Sequence, residues 1–250
     1  WQWKAGGSAS SNTDGTITSS ASVSQEAGFS ILTYTGIASS TGTVGHGLGV
    51  VPAMILFKNL PGSTTWYVYH KDIPSPNVTV LHLDTNAAAT GVGVNTFNNT
   101  SPTSSVFSLG NDTNVNANGE SHVAYCFAEV PGFSSFGKYT GNGNNDGPFI
   151  NTGFRPAWIM VKEFTSSDDW VIYDSARDPI NLAGRVLRAD STAAEFDGRG
   201  TSDRAMDMLS NGFKFRSSNA TMNGNGVGYV YMTFAENPFG GDGVAPATAR

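Results

Sequence analysis

The chain contains two copies of one pattern, so any fold proposed for it must be one that can be adopted twice. Phe127-Ala128-Glu129 and Pro131 return as Phe234-Ala235-Glu236 and Pro238, an offset of 107 residues. Tyr34-Thr35-Gly36 returns as Tyr139-Thr140-Gly141, an offset of 105. Val51-Pro52-Ala53 matches Arg155-Pro156-Ala157, and Trp66-Tyr67-Val68-Tyr69 matches Trp170-Val171-Ile172-Tyr173, both at 104. Blocks that keep their order at a nearly constant spacing are the mark of a tandem repeat. A residue present in both copies is expected to serve the shared fold, and a ligand-specific residue is expected where the copies differ.

The composition says what each copy is made of. Charged residues are 14% of the chain, against about 25% in ordinary domains; Gly, Ser, Thr and Asn supply the polarity instead. That mixture suits short strands joined by turns, because long surface helices draw on Glu, Lys, Leu and Ala. The single cysteine, Cys126, rules out an intrachain disulfide and reads as a small buried hydrophobe. The net charge of −6 is diffuse and no Lys/Arg cluster occurs, so no nucleic-acid partner is expected. No apolar run reaches the roughly 18 residues of a spanning helix, so no membrane insertion is expected.

Strands are predicted at Phe29–Tyr34, Ala53–Lys58 (apolar on both faces, hence central), Trp66–His70, Val78–Leu83, Val106–Leu109 and Ser121–Ala128. The second copy repeats them at Gly137–Tyr139, Ala157–Lys162, Trp170–Tyr173, Arg185–Leu187, Phe213–Phe215 and Gly228–Ala235. Asn118-Gly119 and Asn225-Gly226 favour tight hairpins, and Asp203–Leu209 could form a helical turn. The expected fold is all-β: two tandem β-sandwich-like modules of about 105 residues each. Residues 1–27 read as the last strand of an upstream module plus a Ser/Thr-rich linker, with Ser8–Gln25 a linker or a loosely held strand, 28–132 as module 1, 133–239 as module 2, and 240–250 as a flexible tail. Tyr34/Tyr139, Trp66/Trp170 and Phe127/Phe234 are expected to be equivalent core pairs.

The candidates for chemistry are few. No G-x-S-x-G elbow occurs, and His46, His70, His82 and His122 all lie in the first copy, with Asp174 at the place of His70. Glu129 and Glu236 could suggest a carboxylate pair, but as copies of one residue they read as strand-end carboxylates that accept backbone N–H bonds or face a loop Lys or Arg. Asn142–Gly147 resembles the front of a calcium loop without its leading Asp or closing carboxylate, and reads as a polar turn. No catalytic, metal or cofactor residues are therefore assigned. The copies differ most at Ile37–Val44 against Asn142–Pro148, and at Asn86–Pro102 against Asp190–Arg204. Contact residues are expected there: Phe97, Asn98 and Asn99 in one copy, Asn144, Asp146, Asp197 and Arg199 in the other.

Longer stretches carry a resemblance. GFSILTYTG, VGHGLGVVPAMILFKN, HVAYCFAEVPGFSSFGKYTGNGNNDGPFINTGFRPAWIMVKE, DWVIYDSARDP and YVYMTFAENPFGGDGVAPATAR resemble the C-terminal tandem-repeat region of tail-fibre-like structural proteins of marine tailed phages. The resemblance runs over nearly the whole chain. It implies a non-enzymatic virion protein, a fibre region contacting the host surface, with other virion proteins and a host glycan as partners. A capsid decoration or head-fibre protein is the alternative within that class, and a carbohydrate-binding module pair of a secreted bacterial protein the alternative outside it. Low charge, with 39% hydrophobic residues and several unrepeated aromatics, further suggests a homo-oligomer, a trimer being favoured.

Overall fold

The structure is a computed structural model, and it describes residues 6–39, 41–201 and 203–236. The strand expected around Trp1 and the tail expected at 240–250 lie outside these residues. The fold is all-β and the chain divides into two compact units. Unit 1 runs up to Leu83 and resumes at Ala89–Glu129; unit 2 takes Asp84–Ala88 and everything from Val130. No helix among the described residues is long and apolar enough to cross a membrane.

Unit 1 contains β1 (Ser10–Asn12), β2 (Ser19–Ser24), β3 (Phe29–Thr35), β4 (Gly42–Gly45), β5 (Met54–Asn59), β6 (Tyr67–His70), β7 (Thr79–His82) and β8 (Thr90–Gly91). A short α1 (Val94–Phe97), β9 (Val106–Leu109), α2 (Thr113–Asn116) and β10 (Ser121–Phe127) complete it. The large sheet has the order β1-β2-β3-β10-β5-β6-β7-β8, and β4 and β9 form a small second sheet. Unit 2 contains β11 (Ser134–Thr140), β12 (Phe149–Asn151), β13 (Pro156–Glu163), β14 (Val171–Asp174), β15 (Arg185–Arg188) and β16 (Phe196–Asp197). It ends with β17 (Met206–Leu209), β18 (Gly212–Phe215), α3 (Ala220–Asn223) and β19 (Gly228–Ala235). Its large sheet, β11-β19-β13-β14-β15-β16, has the strand order of unit 1 from β3 onward, and its small sheet is β12-β18-β17. The repeat in the sequence is thus a repeat of topology.

Period-2 alternation builds each core. Leu32 and Tyr34 of β3 point inward between exposed Thr33 and Thr35. They meet Phe57 of β5, Val44 of β4 and Phe107 of β9, so the small sheet closes over one face of the large one. Unit 2 does the same with Ile159, Val161, Tyr173, Phe213, Phe215 and Tyr231. A one-residue slip would turn these sets outward, which pins the register. The central strands β13 and β19 are buried at every position, as a run apolar on both faces requires.

Four expectations need correction. Of the two readings of Ser8–Gln25 the linker fails and the strand holds: half of it forms β1 and β2, and β2 pairs with β3 over six residues, from Ser19 opposite Tyr34 to Ser24 opposite Phe29. Its alternation, with Ser19 and Ala21 buried on either side of exposed Ser20, was hidden because serine can serve both faces. Asn118-Gly119 and Asn225-Gly226 make turns that join α2 to β10 and α3 to β19; they connect no hairpin strands. Met206–Leu209 is strand β17, because pairing with β18 buries Met206 and Met208 together. The seam falls at Glu129/Val130, since the Val130 amide bonds Ser134 Oγ at 3.1 Å and so belongs with β11.

Candidate functional site

Both units close the end of the large sheet with the same polar box. In unit 1, Asp112 caps α2 by accepting from the Asn114 amide at 2.9 Å, and α2 presents Asn116, fully buried, to the β3–β4 connection. Asn116 Oδ1 accepts from the Ile37 amide at 2.8 Å, and its Nδ2 donates to Ser39 O at 3.0 Å and Gly110 O at 2.6 Å. In unit 2, Asn219 caps α3, and Asn223 Oδ1 accepts from the Asn142 amide at 2.8 Å. Asn223 Nδ2 donates to Asn144 O and Ser217 O, both at 2.8 Å. Tyr34 donates to Val115 O at 2.6 Å and Tyr139 to Met222 O at 2.7 Å. Each tyrosine ring lies parallel on its neighbour, Tyr34 on His122 at 5.2 Å and Tyr139 on Tyr229 at 4.9 Å. Gly36 and Gly141 are required because a Cβ would collide with the Ala117 and Gly224 carbonyls.

The buried polar groups that the units share are thereby spent on the fold. His122 accepts from the Ala117 amide at Nε2 and donates from Nδ1 to Glu120 O; Tyr229 likewise accepts from the Gly224 amide. His46 is held between Thr103 O and the Leu48 amide, and burial lowers the pKa of both His46 and His122. His70 and Asp174, at the same sheet position, each accept a backbone N–H, from Asp72 and Arg177. Burial pushes the Cys126 thiol up to about 12, so it stays protonated. Glu129 and Glu236 are strand-end carboxylates in ion pairs, with Lys71 at 2.7 Å and Arg155 at 3.0 Å. The carboxylate is repeated and its cation is not, since Lys71 follows β6 and Arg155 precedes β13. Among the described residues no group of three or more His, Cys, Asp and Glu is placed to hold a metal ion.

Of the expected core pairs, Phe127 and Phe234 are each 3% exposed and Tyr34 and Tyr139 match in their bonds. The tryptophans differ. Trp170 is 2% exposed, whereas Trp66 is only half-buried, because its neighbour is the half-buried Tyr125, 6.2 Å away.

The expected contact residues divide as well. Phe97 is no surface aromatic: α1 turns it into the core, 5.6 Å from Phe57 and 5.7 Å from Tyr69. Asn98 and Asn99 after it are exposed with φ of 50° and 46°, a left-handed pair that Asn tolerates better than most residues. Asp84–Ala88 belong with unit 2, so the Asn86–Pro102 stretch is not one free loop. Asn144 and Asp146 are exposed in a ladder of Asx turns, in which Asn142 Oδ1 accepts from the Asn144 amide and Asn144 Oδ1 from the Asp146 amide. Lys214 at 2.9 Å, assisted by Arg216, lowers the pKa of Asp146. Asp197 and Arg199 pair with each other at 2.6 Å, and Arg199 holds that carboxyl far below the usual carboxylate range. Beside them Arg177 bridges Asp174 and Glu195.

The two variable segments of unit 2 nevertheless converge. Asn145 from the β11–β12 loop and Thr201 and Asp203 from the β16–β17 connection border an open depression of about 350 Å³, completed by Ser217, Ser218 and Asn219 ahead of α3. The sequence reading missed both this convergence and the buried Asn116/Asn223 pair. The second had a visible signal: Asn116 and Asn223 each stand two residues before a repeated Asn-Gly step, at the offset of 107.

No curated protein and no solved structure matches the chain. A protein family described as a domain of unknown function, DUF7483, matches residues 1–238 and so spans both units. The chain belongs to that family.

Proposed function

We propose that the chain is a non-enzymatic structural component of a phage virion, a fibre region whose loops meet the host surface or neighbouring subunits. The observation that carries this reading is where the polar chemistry goes. Titratable and amide groups shared by the units are consumed by the box, the caps and strand-end ion pairs. The polar depression of unit 2 brings together two of the segments that differ between the copies. A rigid repeated frame carrying variable loops suits recognition, because loops can change without disturbing register. The phage resemblance supplies the setting: particles, with other virion proteins and further copies of this chain, in a trimer, as partners.

The test is location. Antibody raised against the chain should label purified particles at the tail in electron micrographs. Labelling of the capsid would transfer the role to a decoration or head-fibre protein. Absence of the chain from purified particles by mass spectrometry would overturn the virion reading and leave a carbohydrate-binding module of a secreted protein, the reading that the polar depression favours.

A further inference from the structure

We propose that the depression bounded by Asn145, Thr201, Asp203 and Ser217–Asn219 binds a neutral saccharide through adjacent ring hydroxyls. The inference rests on the host-contact reading above and names the ligand class.

The lining decides the class. Among the described residues its side chains are hydroxyls, amides and one carboxylate, with no aliphatic or aromatic side chain, so an apolar ligand has nothing there to bury against. An anion finds no cation among the described residues of this lining, and Arg204, 3.5 Å from Asp203 Oδ2, is already paired with that carboxylate. A lone carboxylate is a poor cage for a divalent cation, which takes six or more oxygens and commonly several carboxylates. Neighbouring sugar hydroxyls are both donors and acceptors, and this surface offers both. Asp203 is oriented by Asn219 Nδ2, which donates to its Oδ1 at 2.7 Å, and each carboxylate oxygen retains lone pairs for a ligand hydroxyl. Asn145 is positioned by accepting from the Ser218 amide at 3.0 Å, which leaves its Nδ2 with no hydrogen bond among the described residues. Ser218 Oγ is likewise unengaged there. The volume of about 350 Å³ sits at the small end of the range for ligand sites, roughly 300–1,000 Å³.

The first unit supplies an internal control. There α1 occupies the corresponding place: Thr96, buried, donates its hydroxyl to Asp112 Oδ2 at 2.6 Å. The Gly110 amide bonds Thr96 O at 2.8 Å, and the Asp112 amide bonds Asn95 O at 2.9 Å. Asp112 and Asn219 are both half-buried, so the units differ in which side chain meets the cap: the hydroxyl of Thr96 in unit 1, the carboxylate of Asp203 in unit 2.

Without a stacking platform a single site should be weak, with a Kd of about 1 mM, and useful on a particle through many copies. The ¹⁵N-labelled 250-residue chain is titrated with the methyl glycosides of glucose, galactose, mannose and N-acetylglucosamine, and with sialic acid as an anionic control. At least one neutral glycoside should shift the amides of Asn145, Thr201 and Ser218 while those of Thr96 and Asp112 stay in place. Ser218→Ala, which removes no hydrogen bond of the protein's own, should weaken binding several-fold at unchanged Tm. Asp203→Asn should weaken it about tenfold, the loss of one charge-assisted bond, with its Tm read separately because Asn219 leans on that carboxylate. Silence toward all four neutral glycosides, shifts confined to other surfaces, binding of sialic acid alone, or indifference to both substitutions would overturn the site. A virion protein that gives no shifts sinks this inference alone; a sugar binder absent from virions sinks the function proposed above and leaves the site standing.

Discussion

Replacing Asn223 by Ala tests whether the buried box holds unit 2 together. The substitution removes the acceptor for the Asn142 amide and the donors to Asn142 Oδ1, Asn144 O and Ser217 O. Asn142 and Asn144 are exposed, so water recovers much of what they lose. Ser217 is 3% exposed and its carbonyl is left without that partner. A stranded buried group costs about 1–3 kcal/mol and each of the other exchanges a few tenths to 1, so the total should be about 2–4 kcal/mol. For a unit of this size that corresponds to a fall in Tm of about 8–15 °C. Asn223→Asp sharpens the test. One oxygen still accepts from the Asn142 amide, but the other now faces the three acceptor oxygens to which Nδ2 donated, Asn142 Oδ1, Asn144 O and Ser217 O. The buried carboxyl should therefore have a raised pKa, and the variant should be at least as unstable as the alanine form at neutral pH and recover as pH falls and the group protonates. Urea unfolding gives the free energy, and hydrogen exchange should show protection lost first at residues 142–148 and 217–224. A cost under about 0.5 kcal/mol for Asn223→Ala, or an aspartate variant as stable as the parent, would refute the argument.

Acid should loosen unit 1 before unit 2, because all four histidines lie in unit 1 and burial lowers the pKa of His46 and His122 from the ordinary 6.5. A lowered histidine pKa contributes stability that is complete above the unfolded value and lost as pH falls from 6.5 through the folded value. Hydrogen exchange against pH reads this unit by unit, and His122→Tyr, the residue unit 2 uses, should flatten the slope; equal slopes in both units would refute it. Trp170→Ala should cost about 3–5 kcal/mol in urea unfolding and Trp66→Ala clearly less, since only the first is fully buried. Glu129→Gln and Glu236→Gln should each change stability by under about 1 kcal/mol, an effect that fades in high salt, because both ion pairs are solvent-exposed.

The sequence alone determined whatever depends on periodicity. The duplication, the all-β class, the central strands at β5 and β13 and the pairs Tyr34/Tyr139 and Phe127/Phe234 follow from alternation and from matching blocks, because side-chain direction along a strand is set locally. The strand-end role of Glu129 and Glu236 was legible for the same reason, since a residue kept in both copies at a strand end serves the frame; that the partner is a cation and not a backbone amide was decided by the fold. Tertiary structure decided what depends on residues brought together from afar. Serine carries no hydrophobic signal, so only pairing with β3 shows Ser19–Ser24 to be a strand. Phe97 looked like a loop aromatic until α1 packed it under Phe57, since a four-residue helix is too short to show a period. Asn116 and Asn223 bridge groups up to 81 residues apart, and the polar depression gathers Asn145 with Thr201, Asp203 and Ser218. Such convergence is a property of the folded path of the backbone, set by the summed burial of the whole unit, and no window of neighbouring residues contains it.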